Sequence, residues 1–255
     1  MKVSGLRAMI KNRWNRDRIY CKPEFWDAKA EEYEDTAVSG WANSTVNTLY
    51  DQRELDILRA SFPHVEGAHV LDVGCGTGRV ARYFASQRAN VLGIDFSEQA
   101  INVARQQGPP GNPNYRIQSV FKLNEHEQFD IALSLGCLSV ACANRDELHA
   151  ALTNLFNSLK PGGKILLVEP IHRWLLHLVL NMSVREFQEV MREVGFAVQE
   201  VTPLHFWPIV RPMAYFNFPR FITTAGYHLG DWALTLLGGT YFGDYKAILA
   251  LRPDQ

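Results

Sequence analysis

The chain has 255 residues and a formal net charge of -1, and 47% of its residues are hydrophobic and 21% charged. These proportions are typical of globular proteins and exclude a disordered or fibrous chain, and the small net charge gives no overall field that would attract nucleic acid. The four cysteines form no metal-type pair and are too few for a disulfide scaffold, so we expect no metal site and a cytoplasmic location. No signal peptide and no membrane-spanning apolar run is apparent.

The first zone, residues 1–63, is predicted to be a charged, helical cap. Its opening 22 residues hold seven Lys or Arg and a single acid. Val3, Leu6, Ile10 and Trp14 recur at helical spacing, which predicts a basic amphipathic helix. Such a helix can pack its apolar stripe on the domain, contact a membrane surface or contact nucleic acid, and the sequence leaves these alternatives open.

The second zone, residues 64–204, alternates short apolar strand patterns with helix patterns. The predicted strands are Ala68–Val73, Asn90–Ile94, Tyr115–Ser119, Phe129–Leu135 and Gly163–Val168. The predicted helices are Arg79–Gln87, Ser97–Gln107 and Arg145–Leu159. This alternation indicates an α/β fold with a mostly parallel sheet that is covered on both faces.

Two local patterns refine these boundaries. The Lys-Pro-Gly-Gly run at residues 160–163 is typical of a stop that ends one helix and turns the chain into the next strand. Ser183 followed three residues later by Glu186 predicts a capping box that opens a helix at Val184–Val194. Asp244–Leu251 is predicted to be the last strand of the core.

Residues 205–243, inserted before that last strand, are predicted to be a substrate lid. They contain ten of the chain's 29 aromatic residues. The side chains proposed to line an apolar pocket are Phe206, Trp207, Tyr215, Phe216, Phe218, Phe221, Tyr227 and Trp232. A second interpretation is packing on the core, because one helical face carries Ile222, Ala225, Leu229, Trp232 and Leu236. A third is an exposed apolar face that rests on a membrane and collects a lipid-like acceptor.

The strongest chemical signal is a glycine-rich turn between a predicted strand and a predicted helix. Residues 70–78 read Val-Leu-Asp-Val-Gly-Cys-Gly-Thr-Gly, and such glycines let the backbone approach a ligand at the carboxyl edge of a sheet. Arg79 occupies the third small-residue position of a dinucleotide fingerprint, which opposes a nicotinamide enzyme, and no Gly-Lys-Ser/Thr follows, which excludes a P-loop. Asp72, two residues before the first glycine, favours a positively charged ligand.

A second signal lies at the tip of the next predicted strand. Asp95 can there accept hydrogen bonds from both hydroxyls of a ribose, and Phe96 can cover an adenine ring. The alternative role for Asp95 is to stabilise the dipole of the helix that follows it. Its pairing with the glycine turn favours the ribose.

These residues resemble those of a known family, the class I S-adenosylmethionine-dependent methyltransferases. Residues 71–78 are similar to the family's first motif, Asp95 matches its ribose acid, residues 129–134 resemble its fourth-strand motif, and residues 159–164 resemble the turn into its fifth strand. The resemblance covers residues 26–200 and is closest to the ubiquinone-biosynthesis-type small-molecule branch. It implies a doubly wound, seven-stranded sheet and methyl transfer from S-adenosyl-L-methionine to a small, partly apolar acceptor.

The resemblance also implies a set of cofactor contacts. Tyr33, in a first helix with Trp26 and Asp27, matches an aromatic residue that lies over the cofactor, although a core role is equally compatible. The other implied cofactor residues are Asp72, Gly74, Cys75, Gly76, Gly78, Asp95, Phe96, Ser119, Val120 and Leu135. The family's usual acid after the third strand is absent, because Ser119 or Val120 stands there, and backbone groups or the Ser119 hydroxyl are expected to serve instead.

The acceptor side is less defined. O-methylation of a phenol or C-methylation benefits from a base, whereas methylation of a neutral amine needs none. His172, which follows the predicted fifth strand, is the leading catalytic candidate, although each histidine also has a structural interpretation. The predicted substrate contacts are Tyr215, Phe218, Tyr227 and His228.

Other functions stay open at this point. A nucleic-acid or protein methyltransferase is supported by the basic start of the chain, but residues 134–137 read Ser-Leu-Gly-Cys rather than an Asn-Pro-Pro-Tyr-type motif for flipped bases. A non-catalytic S-adenosylmethionine-binding module is supported by the altered adenine position. The sequence does not determine the acceptor atom, peripheral membrane contact or the oligomeric state.

Overall fold

The computed structural model describes residues 16–32, 41–216 and 218–254. Within these ranges a seven-stranded sheet has the order β3-β2-β1-β4-β5-β7-β6. The strands are β1 His69–Val73, β2 Asn90–Asp95, β3 Asn114–Ile117, β4 Phe129–Leu135, β5 Leu159–Glu169, β6 Ala197–Phe206 and β7 Gly243–Leu251. The pairs among β1 to β5 are parallel, and β7 runs antiparallel to β5 and β6. The predicted fold class is confirmed.

Helices connect these strands. The α-helices of the described ranges are α1 Arg16–Tyr20, α2 Pro23–Glu32, α3 Ser44–Ser61, α4 Arg79–Ser86, α5 Glu98–Gln107, α6 Leu138–Ala141, α7 Arg145–Ser158, α8 Val184–Val194, α9 Trp207–Tyr215 and α10 Arg220–Leu237. Single 3-10 turns lie at Val120–Lys122 and Trp174–Leu176.

Alternate side chains of the central strands enter two separate apolar cores. Leu71 and Leu167 pack in one core with residues of α7 and α8, whereas Val70 and Leu166 pack in the other with residues of α3 and α4. This period of two is the geometry of a strand that is buried on both faces. Each of these side chains is almost fully buried and contributes roughly 2 kcal/mol of transfer free energy.

Most predicted boundaries agree with the structure, with one instructive exception in β5. The Lys-Pro-Gly-Gly run does not precede the strand but lies within it as an irregularity. Phe129 pairs with Leu159 and Ile131 with Lys164, so residues 160–163 are displaced from the ladder. Gly162, with φ of 74°, donates its N–H to the carbonyl of Arg252 at 2.9 Å. The predicted capping box is confirmed, because Ser183 and Glu186 exchange side chain to backbone hydrogen bonds at the start of α8.

The N-terminal helices are attached to the core through a buried serine. The predicted basic helix at residues 3–14 lies outside the described residues, which begin with α1. In α2, Oδ1 of Asp27 accepts hydrogen bonds from Ser97 Oγ at 2.5 Å and from the Gln99 N–H at 3.2 Å. Asp27 therefore fixes α2 against the start of α5.

The inserted segment forms a helical hairpin of α9 and α10. Two glycines one turn apart in α10 let it pack closely. A Cβ on Gly230 would lie 2.9 Å from Cβ of Phe206, and a Cβ on Gly226 would overlap the side chain of Met213. The absence of side chains at these two positions thus sets the distance between α10, α9 and the end of β6.

The apolar stripe of α10 faces outward. The expectation that it packs on the core is wrong, because the exposed members are Ile222, Ala225, Leu229, Trp232 and Leu236. The buried face instead carries Thr223, Tyr227, Gly230 and Leu234. In the described ranges, no helix combines the length and apolar character that a bilayer crossing requires.

Candidate active site

A cavity of about 620 Å³ lies along the carboxyl edge of the sheet, where β1, β2 and β4 end. Its walls also include residues of α1, α2, α3 and α9. Such a crevice is the usual ligand site of an open α/β sheet. The predicted cofactor residues that line it are Asp72, Gly74, Cys75, Gly76, Asp95, Phe96, Ser119, Val120 and Leu135.

The glycine turn forms the floor of this cavity. Gly74 and Gly76 adopt φ values of 69° and 53°, which side chains rarely allow. A Cβ on Gly74 would also lie 2.5 Å from Sγ of Cys137, which follows β4. Gly78, predicted to contact the cofactor, is not among the residues that line the cavity. Its missing side chain makes room for Tyr115, whose hydroxyl donates a 3.4 Å hydrogen bond to the Gly78 carbonyl.

Asp95 is fixed by backbone donors on both sides. Its Oδ2 accepts the Gly76 N–H at 2.9 Å, and its Oδ1 accepts the Ser97 N–H at 2.9 Å. Burial raises the pKa of Asp95, and these backbone N–H groups oppose that rise. Because a carboxylate offers about four lone-pair positions, two hydroxyl donors can still be accepted. The cap of α5 is Ser97, whose Oγ accepts the Ala100 N–H at 3.0 Å.

Asp72 presents an unpaired oxygen at the same cavity. The residue is 2% exposed, and its Oδ2 has no hydrogen-bond partner. Burial raises the pKa of Asp72 to about 7, although the Arg79 guanidinium opposes the rise. A buried carboxylate oxygen that lacks a partner is costly. The site therefore fits a ligand that brings positive charge or a hydrogen-bond donor to this position.

The charge of Arg79 is matched by acids on α3. Its Nη2 lies 2.5 Å from Oε2 of Glu54, and its Nη1 lies 3.6 Å from Oδ1 of Asp51. These neighbouring carboxylates raise the pKa of the guanidinium against the opposite effect of burial. Both Arg79 and Glu54 line the cavity, so this wall presents an ion pair rather than a free cation.

The adenine side predicted from the sequence is formed by the ends of β2 and β3. Phe96, Ser119 and Val120 line the cavity there, together with Gln118 and Phe121. The Ser119 hydroxyl accepts the Phe121 N–H at 3.4 Å and so caps a 3-10 turn. That adenine binds at these residues stays a prediction.

Aromatic residues of the N-terminal helices close one side of the cavity. Tyr20, Phe25 and Trp26 all line it, with ring centroids of Tyr20 and Phe25 4.9 Å apart and those of Phe25 and Trp26 5.2 Å apart. Tyr33 lies outside the described residues, so its predicted contact stays a prediction. Of these rings, only Trp26 is predicted from the sequence to belong to the helix that faces the cofactor.

The opposite end of the cavity combines aromatic walls with one guanidinium group. Trp41 and Tyr215 form an edge-to-face pair with centroids 5.6 Å apart. Arg211 of α9 lines the same end, and its Nε and Nη2 lie 2.8 and 2.7 Å from Oδ1 of Asp244. Leu178 and Tyr245 complete this wall. The arrangement suits a partly apolar molecule that carries a polar group.

Comparisons with known proteins agree with this geometry. Residues 70–163 match the family described as "Methyltransferase domain". An O-methyltransferase of Pyrenophora dematioidea is 26% identical over 186 residues, which are 65% of this chain and 68% of that protein. A ubiquinone biosynthesis O-methyltransferase of Coxiella burnetii is 35% identical over 104 residues, 40% of this chain, and the match spans 43% of that protein's length.

A solved structure shows the same fold. An S-adenosylmethionine-dependent methyltransferase of Mesorhizobium loti superposes with a TM-score of 0.59 at 21% identity, covering 78% of this chain and 97% of that one. The chain therefore contains a methyltransferase domain, matched over residues 70–163. S-adenosylmethionine is accordingly its cofactor, and the unpaired oxygen of Asp72 and the backbone-fixed carboxylate of Asp95 fit a cationic adenosyl ligand.

The predicted catalytic histidine does not line the cavity of the methyltransferase domain. His172 is 6% exposed and is not among the residues that line the cavity. Its Nε2 lies 2.8 Å from the carbonyl oxygen and 3.2 Å from Oδ1 of Asp244, and its Nδ1 lies 3.4 Å from Nζ of Lys246. Burial lowers the pKa of His172. This histidine therefore contacts Asp244, which in turn holds Arg211.

Three of the four predicted substrate residues also lie elsewhere. Tyr215 lines the cavity, whereas Phe218, Tyr227 and His228 are not among its lining residues. Phe218 and His228 are exposed, and Tyr227 is buried with its hydroxyl 2.7 Å from Nδ1 of His205. Of the eight aromatic side chains proposed to line an apolar pocket, only Tyr215 is among the residues that line this cavity, and Phe216, Phe218, Phe221 and Trp232 are exposed.

Sequence reasoning missed the residue that organises the loop after β4. Glu169, at the end of β5, is fully buried. Its two oxygens accept five hydrogen bonds, from the N–H groups of Cys137, Leu138 and Ser139 and from the hydroxyls of Ser134 and Ser139. The carboxylate thus caps the first turn of α6 and fixes the loop that lines the methyltransferase cavity. The only sequence signal was an acid at the end of an apolar strand.

Proposed function

We propose that this chain transfers a methyl group from S-adenosyl-L-methionine to a small, partly apolar acceptor. The observation that carries the proposal is the buried, unpartnered Oδ2 of Asp72 in one cavity with Asp95. The cavity continues past the loop after β4 to Trp41, Tyr215 and Arg211. Cofactor and acceptor can therefore meet in one cavity.

The residues of the chain act mainly by positioning. S-adenosylmethionine supplies an electrophilic methyl group on a sulfonium, so the protein has to align an acceptor atom and exclude water. Asp72 and Asp95 orient the cofactor, and the rings of Trp41 and Tyr215 confine the acceptor. Arg211, held by Asp244, offers hydrogen-bond donors to a polar group of the acceptor.

The names of the relatives support a small-molecule acceptor. They describe an O-methyltransferase and a ubiquinone biosynthesis O-methyltransferase. The aromatic lining of the cavity favours an acceptor with a ring or another flat apolar body. We also propose a cytoplasmic location, supported by the four cysteines, all of which are free thiols.

The test combines binding with transfer. Calorimetric titration with S-adenosylhomocysteine measures the cofactor site, and S-adenosylmethionine with a tritium-labelled methyl group measures transfer to a panel of phenols, amines and carboxylic acids. We expect binding and label in at least one organic product. Binding without transfer to any acceptor would instead support a cofactor-binding module, and absence of binding would overturn the proposal at its first step.

A further inference from the structure

Three buried tyrosines pack around the imidazole of His205, and they differ in whether their hydroxyl groups are paired. The Tyr50 hydroxyl donates a hydrogen bond of 3.0 Å to Oδ2 of Asp244, and the Tyr227 hydroxyl lies 2.7 Å from Nδ1 of His205. Tyr245 is 7% exposed, yet in the described ranges no hydrogen bond joins its hydroxyl to another residue. Because buried polar groups are normally paired, this hydroxyl calls for a partner from outside the chain.

The Tyr245 side chain borders the cavity of the candidate active site. Its hydroxyl oxygen lies 3.9 Å from the position that a Cβ on Gly136 would take, and Gly136 lines the same cavity. Since Gly136 has no side chain, it leaves the hydroxyl uncovered on that side. The unpaired hydroxyl therefore adjoins space that a ligand can occupy.

The strand order places Tyr245 away from the acids of the cofactor site. Asp72 and Asp95 belong to β1 and β2, which lie on one side of β4, whereas Tyr245 belongs to β7, two strands beyond β4 on the other side. Neighbouring strands are about 4.8 Å apart, so β7 lies about 19 Å from β2 across the sheet. Arg211 and Tyr215 line the cavity together with Tyr245. The hydroxyl is thus available to the acceptor rather than to the ribose end of the cofactor.

The ring of Tyr245 is held in one orientation by two neighbouring rings. It meets Tyr50 and His205 edge to face, with centroids 5.8 and 5.7 Å away, and those two rings stack on each other at 3.5 Å. Burial raises the pKa of the Tyr245 hydroxyl above its ordinary value, and the carboxylates of Asp244 and Glu54 raise it further. The hydroxyl therefore stays protonated at neutral pH and offers a hydrogen-bond donor at a fixed point.

We propose that Tyr245 determines acceptor specificity, with its hydroxyl donating a hydrogen bond to an oxygen on the apolar body of the acceptor. This assignment rests on the proposed function in so far as the ligand at this end of the cavity is the methyl acceptor. A ligand that lacks the oxygen leaves the Tyr245 hydroxyl unpaired, and a site built in this way discriminates against such a ligand.

The test uses calorimetric titration of the complex with S-adenosylhomocysteine. The ligands are the phenols of the acceptor panel and the same compounds with a methyl group in place of the hydroxyl. We expect the wild type to bind at least one phenol roughly ten-fold more tightly than its methyl counterpart. Tyr245→Phe keeps the ring and removes only the oxygen, so it should lose this preference while Kd for S-adenosylhomocysteine stays constant.

Tyr227→Phe is the matched control, because Tyr227 is a buried tyrosine that is not among the residues lining the cavity. Its hydroxyl is paired with His205, so this variant should melt below the wild type and keep the preference for the phenol. Tyr245→Phe should melt as the wild type does, since its hydroxyl bonds to no other described residue.

Four results would contradict the assignment of Tyr245. They are a wild-type complex that does not prefer any phenol, a Tyr245→Phe variant that keeps the preference, an equal loss of affinity for S-adenosylhomocysteine, and a fall in melting temperature as large as that of Tyr227→Phe. A wild-type protein that prefers the phenol through Tyr245 but transfers no label would refute the proposed methyl transfer and support the assignment of Tyr245.

Discussion

The backbone N–H of Gly76 donates a hydrogen bond of 2.9 Å to Oδ2 of Asp95. The acid that ends β2 therefore holds the glycine turn that follows β1, so the two strongest sequence signals belong to one structural unit. Asp95→Ala removes both the bond to this turn and the acceptor proposed for the ribose. We expect the affinity for S-adenosylhomocysteine to fall roughly ten- to hundred-fold, measured by calorimetry.

The matched control for that substitution is Asp130→Ala. Asp130 is a partly exposed acid that accepts the His69 N–H and pairs with Lys160, away from the cavity lining. We expect its effect on affinity to be small. Equal losses in both variants would show that Asp95 acts through general stability rather than through the cofactor site.

The raised pKa of Asp72 predicts that cofactor binding depends on pH. Its pKa is raised to about 7 by burial, which the Arg79 guanidinium opposes and Asp95 reinforces. Asp72 is therefore ionised above that pH and becomes neutral as the pH falls through it. Because only the ionised form attracts the cationic sulfonium cofactor, the affinity for S-adenosylmethionine should fall roughly ten-fold between about pH 8 and pH 6.

The variant Asp72→Asn separates binding from stability. Its affinity should be weak at both pH values and lose the pH dependence. Since a raised pKa means that the folded protein holds the proton more tightly, ionised Asp72 destabilises the fold as the pH rises through 7. We expect Asp72→Asn to melt above the wild type at alkaline pH and closer to it at acidic pH. A pH-independent wild-type affinity would contradict the assigned role.

Arg211 is predicted to act on the acceptor and not on the cofactor. Arg211→Lys keeps the charge beside Asp244 but loses the planar donor geometry. With an acceptor found by label transfer, we expect KM for the acceptor to rise several-fold while Kd for S-adenosylhomocysteine stays constant. Arg185→Lys, on the exposed surface of α8, is the control. A change in Kd with an unchanged KM would assign Arg211 to the cofactor instead.

Glu169 is predicted to dominate the stability of the loop after β4. Glu169→Ala leaves five donors without their acceptor, four of them in buried hydrogen bonds, which we expect to cost roughly 3–5 kcal/mol. Thermal unfolding should show a melting temperature lowered by many degrees, and S-adenosylhomocysteine should restore part of it through mass action. Glu189→Ala, at a partly exposed acid on α8, should change the melting temperature little.

The sequence predicted those parts of the fold that depend on local patterns. The bounds of β4 and α8 agree with the structure, as does the convergence of Asp72 and Asp95, because parallel strands bring their carboxyl ends to one edge. Glu169 and Arg211 could not be assigned in this way. Their roles depend on partners that lie more than 29 positions away in the sequence, namely Cys137, Leu138, Ser139 and Asp244.

The errors have equally specific causes. The position of His172 after β5 predicts the correct edge of the sheet, but sequence position does not determine which way a side chain points. The helical period of α10 shows that one face is apolar, but it does not show which face is covered. In α10 the covered face is built around Thr223 and Gly230, small residues that allow close packing and carry little hydrophobic signal.

Position 74 is constrained twice, by its dihedral angle and by the side chain of Cys137. An alanine at position 137 would still place its Cβ 2.5 Å from the added atom, and the unfavourable φ would remain, so no such change admits an alanine at position 74. We therefore expect natural sequences to vary at position 137 but not at position 74. Small residues can replace one another at position 137, whereas position 74 admits only glycine for as long as the turn keeps its shape.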